Sequence, residues 1–165
     1  IVHIFRAQGL DFREHIMHVM DLCRRYQPEI VMIETNTFAK AFSMELKNIS
    51  DFPIKEFTMS RKRKEEIILN LQMNIDNHKI IFPYGNEESR KVSRQLIQEL
   101  EAFGINHNGK IEGVGAHDDM VISLALANYA TKKFSDVFTL LDDEGIFNNG
   151  SPSIPFIGGG IYGIN

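Results

Sequence analysis

The chain has 165 residues and a mass of 18.9 kDa, with 43% hydrophobic and 24% charged residues. That predicts a single soluble globular domain with a sizeable core. A net charge of −4 argues against indiscriminate nucleic-acid binding by the whole surface, though a local basic patch remains compatible with it. No apolar run approaches the roughly 18 residues of a membrane span. His3 and Arg6 interrupt any signal-peptide pattern. The single Cys23 excludes an internal disulfide and gives no metal cluster, which points to a reducing, cytoplasmic compartment. The chain opens on Ile1, already inside an apolar run, and so reads as a piece of a longer polypeptide.

Residues 1–5 (IVHIF) have the composition of a strand. From Phe12, apolar residues at Ile16, Val19, Met20 and Cys23 mark an amphipathic helix, with Asp11 as its N-cap and Pro28 as its stop. Ile30 to Ile33 is an unbroken apolar run, the pattern of a parallel strand covered on both faces, and it ends in Glu34. Any of Thr35, Asn36 and Thr37 can start the next helix, whose stripe is Phe38, Phe42, Leu46 and Ile49. A short strand over Ile54–Phe57 follows, then a helix from Arg61 to about Asp76 that opens with Ser60 and four consecutive basic residues. Lys79–Phe82 predicts a further strand; Val92, Leu96 and Leu100 mark a helix with Glu87 and Glu88 in its first turn; residues 104–115 read as a loop or hairpin. The last helix begins at Asp118-Asp119 and runs to about Lys133 on the stripe Val121, Leu124, Ala125 and Tyr129.

Six of the twelve glycines and two of the five prolines lie at or beyond Gly145, where Phe147, Phe156 and Ile157, like Phe138 before them, follow no period. The division expected is therefore a folded domain over 1–133 and an irregular tail over 134–165. Strands alternating with helices predict an α/β layer with a mostly parallel sheet and helices on both faces.

The chemistry is concentrated in three acidic residues. In an open α/β sheet the functional crevice lies outside the carboxyl ends of the strands, and Glu34 stands at such an end. Asp118 and Asp119 repel each other unless a cation or a helix terminus relieves them. Capping and dipole compensation explain the Asp pair without any function, and N-capping or pairing with a Lys or Arg does the same for Glu34. Taken together, the three suit Mg²⁺ or Mn²⁺, which take a few carboxylates plus waters and phosphate oxygens. Two such ions about 3.5–4 Å apart can clamp the attacking and leaving oxygens of a phosphodiester. His117 can shuttle a proton or make a helix-start hydrogen bond. Arg61, Lys62, Arg63 and Lys64 can neutralise DNA phosphates or form a solvated helix face; cations at a helix start oppose the dipole, which favours the first reading. The remaining histidines, His3, His15, His18, His78 and His107, show no ligand spacing, and no strand is followed by a glycine-rich phosphate loop.

VMIETNTFAK (31–40), SRKRKEEIILNLQ (60–72) followed by KIIFP (79–83), RQLIQELEAF (94–103) and AHDDMVISLALA (116–127) carry, in that order and spacing, a resemblance over about residues 1–130. The chain resembles the C-terminal nuclease domain of the large terminase subunit of tailed bacteriophages. The resemblance implies a ribonuclease H-like, resolvase-type three-layer fold and two-metal cutting of concatemeric double-stranded DNA during genome packaging. It implies Glu34 as the family's middle carboxylate, Asp119 as the main C-terminal metal ligand, Asp118 as second ligand or orienter, and Lys64 as the first choice among the basic residues. The implied partners are an N-terminal ATPase domain of the same polypeptide, the portal protein and the small terminase subunit, in the host bacterial cytoplasm. The family's first catalytic Asp, carried on a strand before the region matching residues 1–5, has no counterpart here. Asp11 stands past that strand at a helix start, so weak or absent cleavage is expected even with Mn²⁺. A resolvase- or transposase-like nuclease and a non-catalytic DNA- or portal-docking module are the competing readings.

Overall fold

The structure, a computed structural model, describes residues 1–35, 39–105, 111–113 and 118–143, with the backbone alone at 105, 111–113 and 132–143. It is a mixed α/β arrangement of α1 (Phe12–Tyr26), β1 (Val31–Glu34), α2 (Ala39–Ile49), β2 (Ile54–Phe57), α3 (Arg61–Asp76), α4 (Glu87–Glu101), β3 (Phe103–Ile105), β4 (Ile111–Gly113) and α5 (Asp119–Asp143). No described helix is long and apolar enough to cross a membrane.

Local chemistry explains the helix ends. At α1 the Asp11 carboxylate accepts from the Glu14 N–H at 2.8 Å, and the Glu14 carboxylate accepts from the Asp11 N–H at 2.8 Å, a reciprocal capping box. Asp11 is thereby occupied as a cap. Replacing it with Ala should cost about 1 kcal/mol, read as a lowered urea midpoint at unchanged slope. Gln27 ends α1 in the left-handed region (φ 47°) and donates its N–H to the Cys23 carbonyl, and Pro28 prevents continuation. Ser60 caps α3 by accepting from the Arg63 N–H.

β1 and β2 pair in parallel, Val31 opposite Ile54 and Glu34 opposite Phe57. Alternation along this ribbon divides its side chains between two cores. Ile33 and Ile54 pack with Ile16, Met20 and Leu46 from α1 and α2. Met32 and Phe57 belong to the larger core, with Ile67 and Leu71 of α3, Leu96 of α4, and Val121, Ala125 and Leu126 of α5. The ribbon therefore has helices on both faces. The first part of α5 is apolar around most of its circumference, with Met120, Val121 and Ile122 consecutively buried, as suits a helix within a core.

Three expectations are corrected. Among the described residues the parallel sheet has two strands, not four, and β3 and β4 form a separate antiparallel pair that begins one residue before the stretch read as loop or hairpin. Residues 1–5 and Lys79–Phe82 are not strands. They meet at a single bond, the Ile1 ammonium donating to the Ile81 carbonyl at 2.8 Å, while Val2 stays 77% exposed and His3 and Phe5 stack on Tyr26 and His18 of α1. Side-chain anchoring to a helix replaces the ladder that would have defined a strand. Finally, α5 does not stop near Lys133 but continues to Asp143 through a stretch with neither Gly nor Pro to end it. The chain resolves into two compact units, residues 1–132 and 133–165. Asn36, Thr37, Phe38, His117 and the tail from 144 lie outside the described residues, as do the side chains of Lys133 and Phe138.

Candidate functional site: an acidic cleft with an internal lysine

β1 delivers Glu34 at its carboxyl end, and the ladder continues one step further as the Thr35 N–H donates to the Phe57 carbonyl at 2.9 Å. Because Glu34 lies opposite Phe57 in register, its side chain shares the face of the ribbon that meets α3 and α5. Asp118 stands immediately before α5, its carbonyl accepting from the Ile122 N–H at 3.0 Å, and Asp119 is the first residue of that helix. Glu34, Asp118 and Asp119 line one cleft of about 500 Å³. Lys64 and Met59 line it from the α3 side, and Ser123, one turn beyond Asp119, lines it from α5.

The charges in this cleft are unequally answered. Lys64 Nζ lies 2.9 Å from Asp118 Oδ2, both side chains being partly buried, and also sits over the Phe103 ring at 5.5 Å. Glu34 has a raised carboxyl pKa: burial is the largest cause, Lys64 opposes it, and the negative charges of Asp118 and Asp119 push it further up. Neither Glu34 nor Asp119 forms an ion pair among the described residues. No three acidic or histidine side chains stand close enough together to hold an ion on protein ligands alone, again among the described residues. The donor set nevertheless fits a hard divalent cation, which needs only one or two carboxylates and retains several waters. Among the described residues, three carboxylates line the cleft with one ammonium, which leaves charge for such an ion to balance.

The capping explanation of the Asp pair meets a rival within the structure. The Met120 N–H, an orphan donor of the first turn of α5, is taken by Glu99 Oε2 at 3.0 Å, and Glu99 Oε1 accepts from Arg6 Nη1 at 2.6 Å. Glu99, on α4, thus caps α5 from outside. Local sequence carries no signal of this role, since the partners are brought together only by packing.

The basic run is divided among different tasks. Arg61 pairs with Glu65 at 3.1 Å along the helix. Arg63 donates to the Thr58 carbonyl at 3.1 Å and lies over the Phe57 ring at 4.9 Å. Lys62 is exposed, and only Lys64 of the four lines the cleft. The paradox of cations at a helix N-terminus has a tertiary answer: Lys64 meets the carboxylate at the head of another helix, and Arg63 an aromatic face. Comparison of the chain with known proteins finds no matching family model, no matching curated protein and no matching solved structure.

Proposed function

We propose that the cleft is the active site of a metal-dependent DNA endonuclease, with Mg²⁺ or Mn²⁺ held by Glu34 and Asp119 and completed by waters and phosphate oxygens. The carrying observation is convergence: carboxylates from the end of β1 and the head of α5, far apart in sequence, line one cleft with Lys64. In this reading Asp118 is shared between the ion and Lys64, and the Lys64 ammonium neutralises charge on the phosphate. Lys62 and its exposed basic neighbours engage the duplex backbone outside the cleft. The covered ribbon and the ordered motifs support a ribonuclease H-like three-layer domain of the phage large-terminase type, cutting double-stranded DNA during genome packaging. Its proposed setting is the bacterial cytoplasm, its proposed partners an ATPase domain, the portal protein and the small terminase subunit.

The test is calorimetric titration of the chain with Mn²⁺, paired with DNA binding across a salt series. Asp119→Asn is expected to weaken Mn²⁺ binding tenfold or more, about 1.4 kcal/mol, while leaving the fold intact. Unchanged Mn²⁺ affinity, or no Mn²⁺ binding by the parent chain, overturns the metal reading. DNA binding that persists in chelator then assigns the surface to docking without catalysis.

A further inference from the structure

Helices α3 and α5 meet at two polar contacts of identical sequence offset. Lys64 reaches Asp118 at the cleft, and ten residues further along both helices Asn74 Nδ2 donates to Asn128 Oδ1 at 2.7 Å, each pair being 54 residues apart in the chain. Equal offsets mean that α3 and α5 run in the same direction between the two contacts, which lie ten residues, about 15 Å at 1.5 Å per residue, apart along α3. The second contact is a closed amide cluster. Asn128 Nδ2 donates to Asn70 Oδ1 at 2.9 Å, and Asn74 Nδ2 also approaches Asn70 Oδ1 at 3.4 Å. Asn128 is 6% exposed, so both ends of its amide depend on α3 for partners.

Around this cluster the interface is made of Ile67, Leu71, Val121, Ala125 and Leu126, whose contacts are non-directional. Apolar surfaces of this kind tolerate sliding; a buried amide with both ends satisfied does not. A displacement of one residue, 1.5 Å along the axis and 100° around it, would unpair Asn128 in an apolar setting. Buried asparagines fix register in coiled coils by the same physics, at some cost in stability. Asn70 and Asn74, one turn apart on α3, straddle Asn128 and so resist displacement in either direction.

We propose that Asn70, Asn74 and Asn128 form a register clamp that sets Lys64 against Asp118, making them positioning residues for the acidic cleft. The consequence for catalysis rests on the nuclease reading, whereas the geometric claim does not. The test is therefore made without metal or DNA: the chain is acetylated with limiting acetic anhydride in chelator, and modification at each lysine is followed by mass spectrometry. Asn128→Leu, close in volume but without the amide, is expected to raise the acetylation rate of Lys64 at least threefold, towards that of Asp118→Asn. Lys47, which is paired with Glu56 away from the cleft, should be unchanged and serves as the internal control. Asn74→Ala, at a half-buried position, is the milder variant and decides the matter if Asn128→Leu does not fold; it is expected to raise the Lys64 rate about twofold. An unchanged Lys64 rate in a folded variant, or an equal rise at Lys64 and Lys47, overturns the clamp. Loss of Mn²⁺ binding in the parent chain would overturn the nuclease reading and leave the acetylation result standing.

Discussion

Glu34→Gln is expected to make the chain more stable at neutral pH in chelator and, in the same variant, to remove stabilisation by Mn²⁺. The first half follows from the raised carboxyl pKa of Glu34, caused chiefly by burial and reinforced by Asp118 and Asp119 against the opposing Lys64. In the unfolded chain this carboxyl titrates near its ordinary value of about 4.3. Between that value and the raised folded one, the native state binds more protons than the unfolded state, so stability falls as pH rises. The contribution is fully present below the unfolded pKa and lost as pH climbs through the folded pKa; above the folded pKa the chain carries the whole penalty of an ionised, half-buried Glu34. Gln keeps the shape and removes that penalty, so urea midpoints from the unfolded pKa of about 4.3 upward through the folded one should be flatter for the variant.

The second half follows if the same carboxylate holds a cation. A ligand that binds only the native state at a hundred times its dissociation constant stabilises by about 2.7 kcal/mol. The parent chain should gain that much from saturating Mn²⁺, and Glu34→Gln should gain little, so the stability order of the two proteins reverses between chelator and Mn²⁺. Urea unfolding of both proteins in both buffers measures it. Equal midpoints in chelator would contradict the burial argument, and equal gains in Mn²⁺ would contradict the ligand role. If it holds the cation, Glu34 is a carboxylate kept at a cost in stability, the usual trade at a binding site.

What the sequence disclosed depended on whether the cause was local. The bounds of α1 and α3 were legible because their caps, Asp11 and Ser60, act within three residues, and Gln27-Pro28 ends α1 on the spot. The Val31–Glu34 strand was legible through its unbroken apolar run, although each of its residues is only partly covered. Residues 1–5 and Lys79–Phe82 have much the same composition, yet they form no ladder, because a strand exists only where an edge receives it. The placement of Glu34, Asp118 and Asp119 in one cleft was foreseeable from where strands end and helices begin. The Lys64–Asp118 pair, the Glu99 cap and the asparagine cluster were not, since each joins residues from different elements and is fixed by helix packing that no periodicity records. Cationic charge at the start of α3 was the one clue to such a contact, because it contradicts the local rule and so requires a distant partner.

Ile67→Ala is expected to be the most damaging single substitution on α3, at about 2–5 kcal/mol, whereas Ile67→Val should cost only about 0.5–1.5 kcal/mol. Ile67 is 0% exposed and lies three residues after Lys64, in the core that joins Phe57 of β2, Leu71 of α3, Leu96 of α4 and the buried face of α5. Truncation to Ala leaves a cavity where these four elements meet, and three of them are held elsewhere: α3 by its amide contacts to α5, α5 by the Glu99 cap, and β2 by its ladder with β1. The walls are therefore poorly able to collapse into the space, which places the loss towards the upper end of the range. Against a total stability of about 5–15 kcal/mol, such a loss leaves a substantial unfolded fraction. Urea unfolding should show a lowered midpoint with unchanged slope; a changed slope would mean a native state already loosened. Because the cavity opens one turn from Lys64, Ile67→Ala should also raise Lys64 acetylation, whereas Ile16→Ala, in the separate core of α1 and α2 and outside the cleft lining, should destabilise comparably and leave Lys64 untouched. That contrast separates damage to the packing beneath Lys64 from general loss of stability.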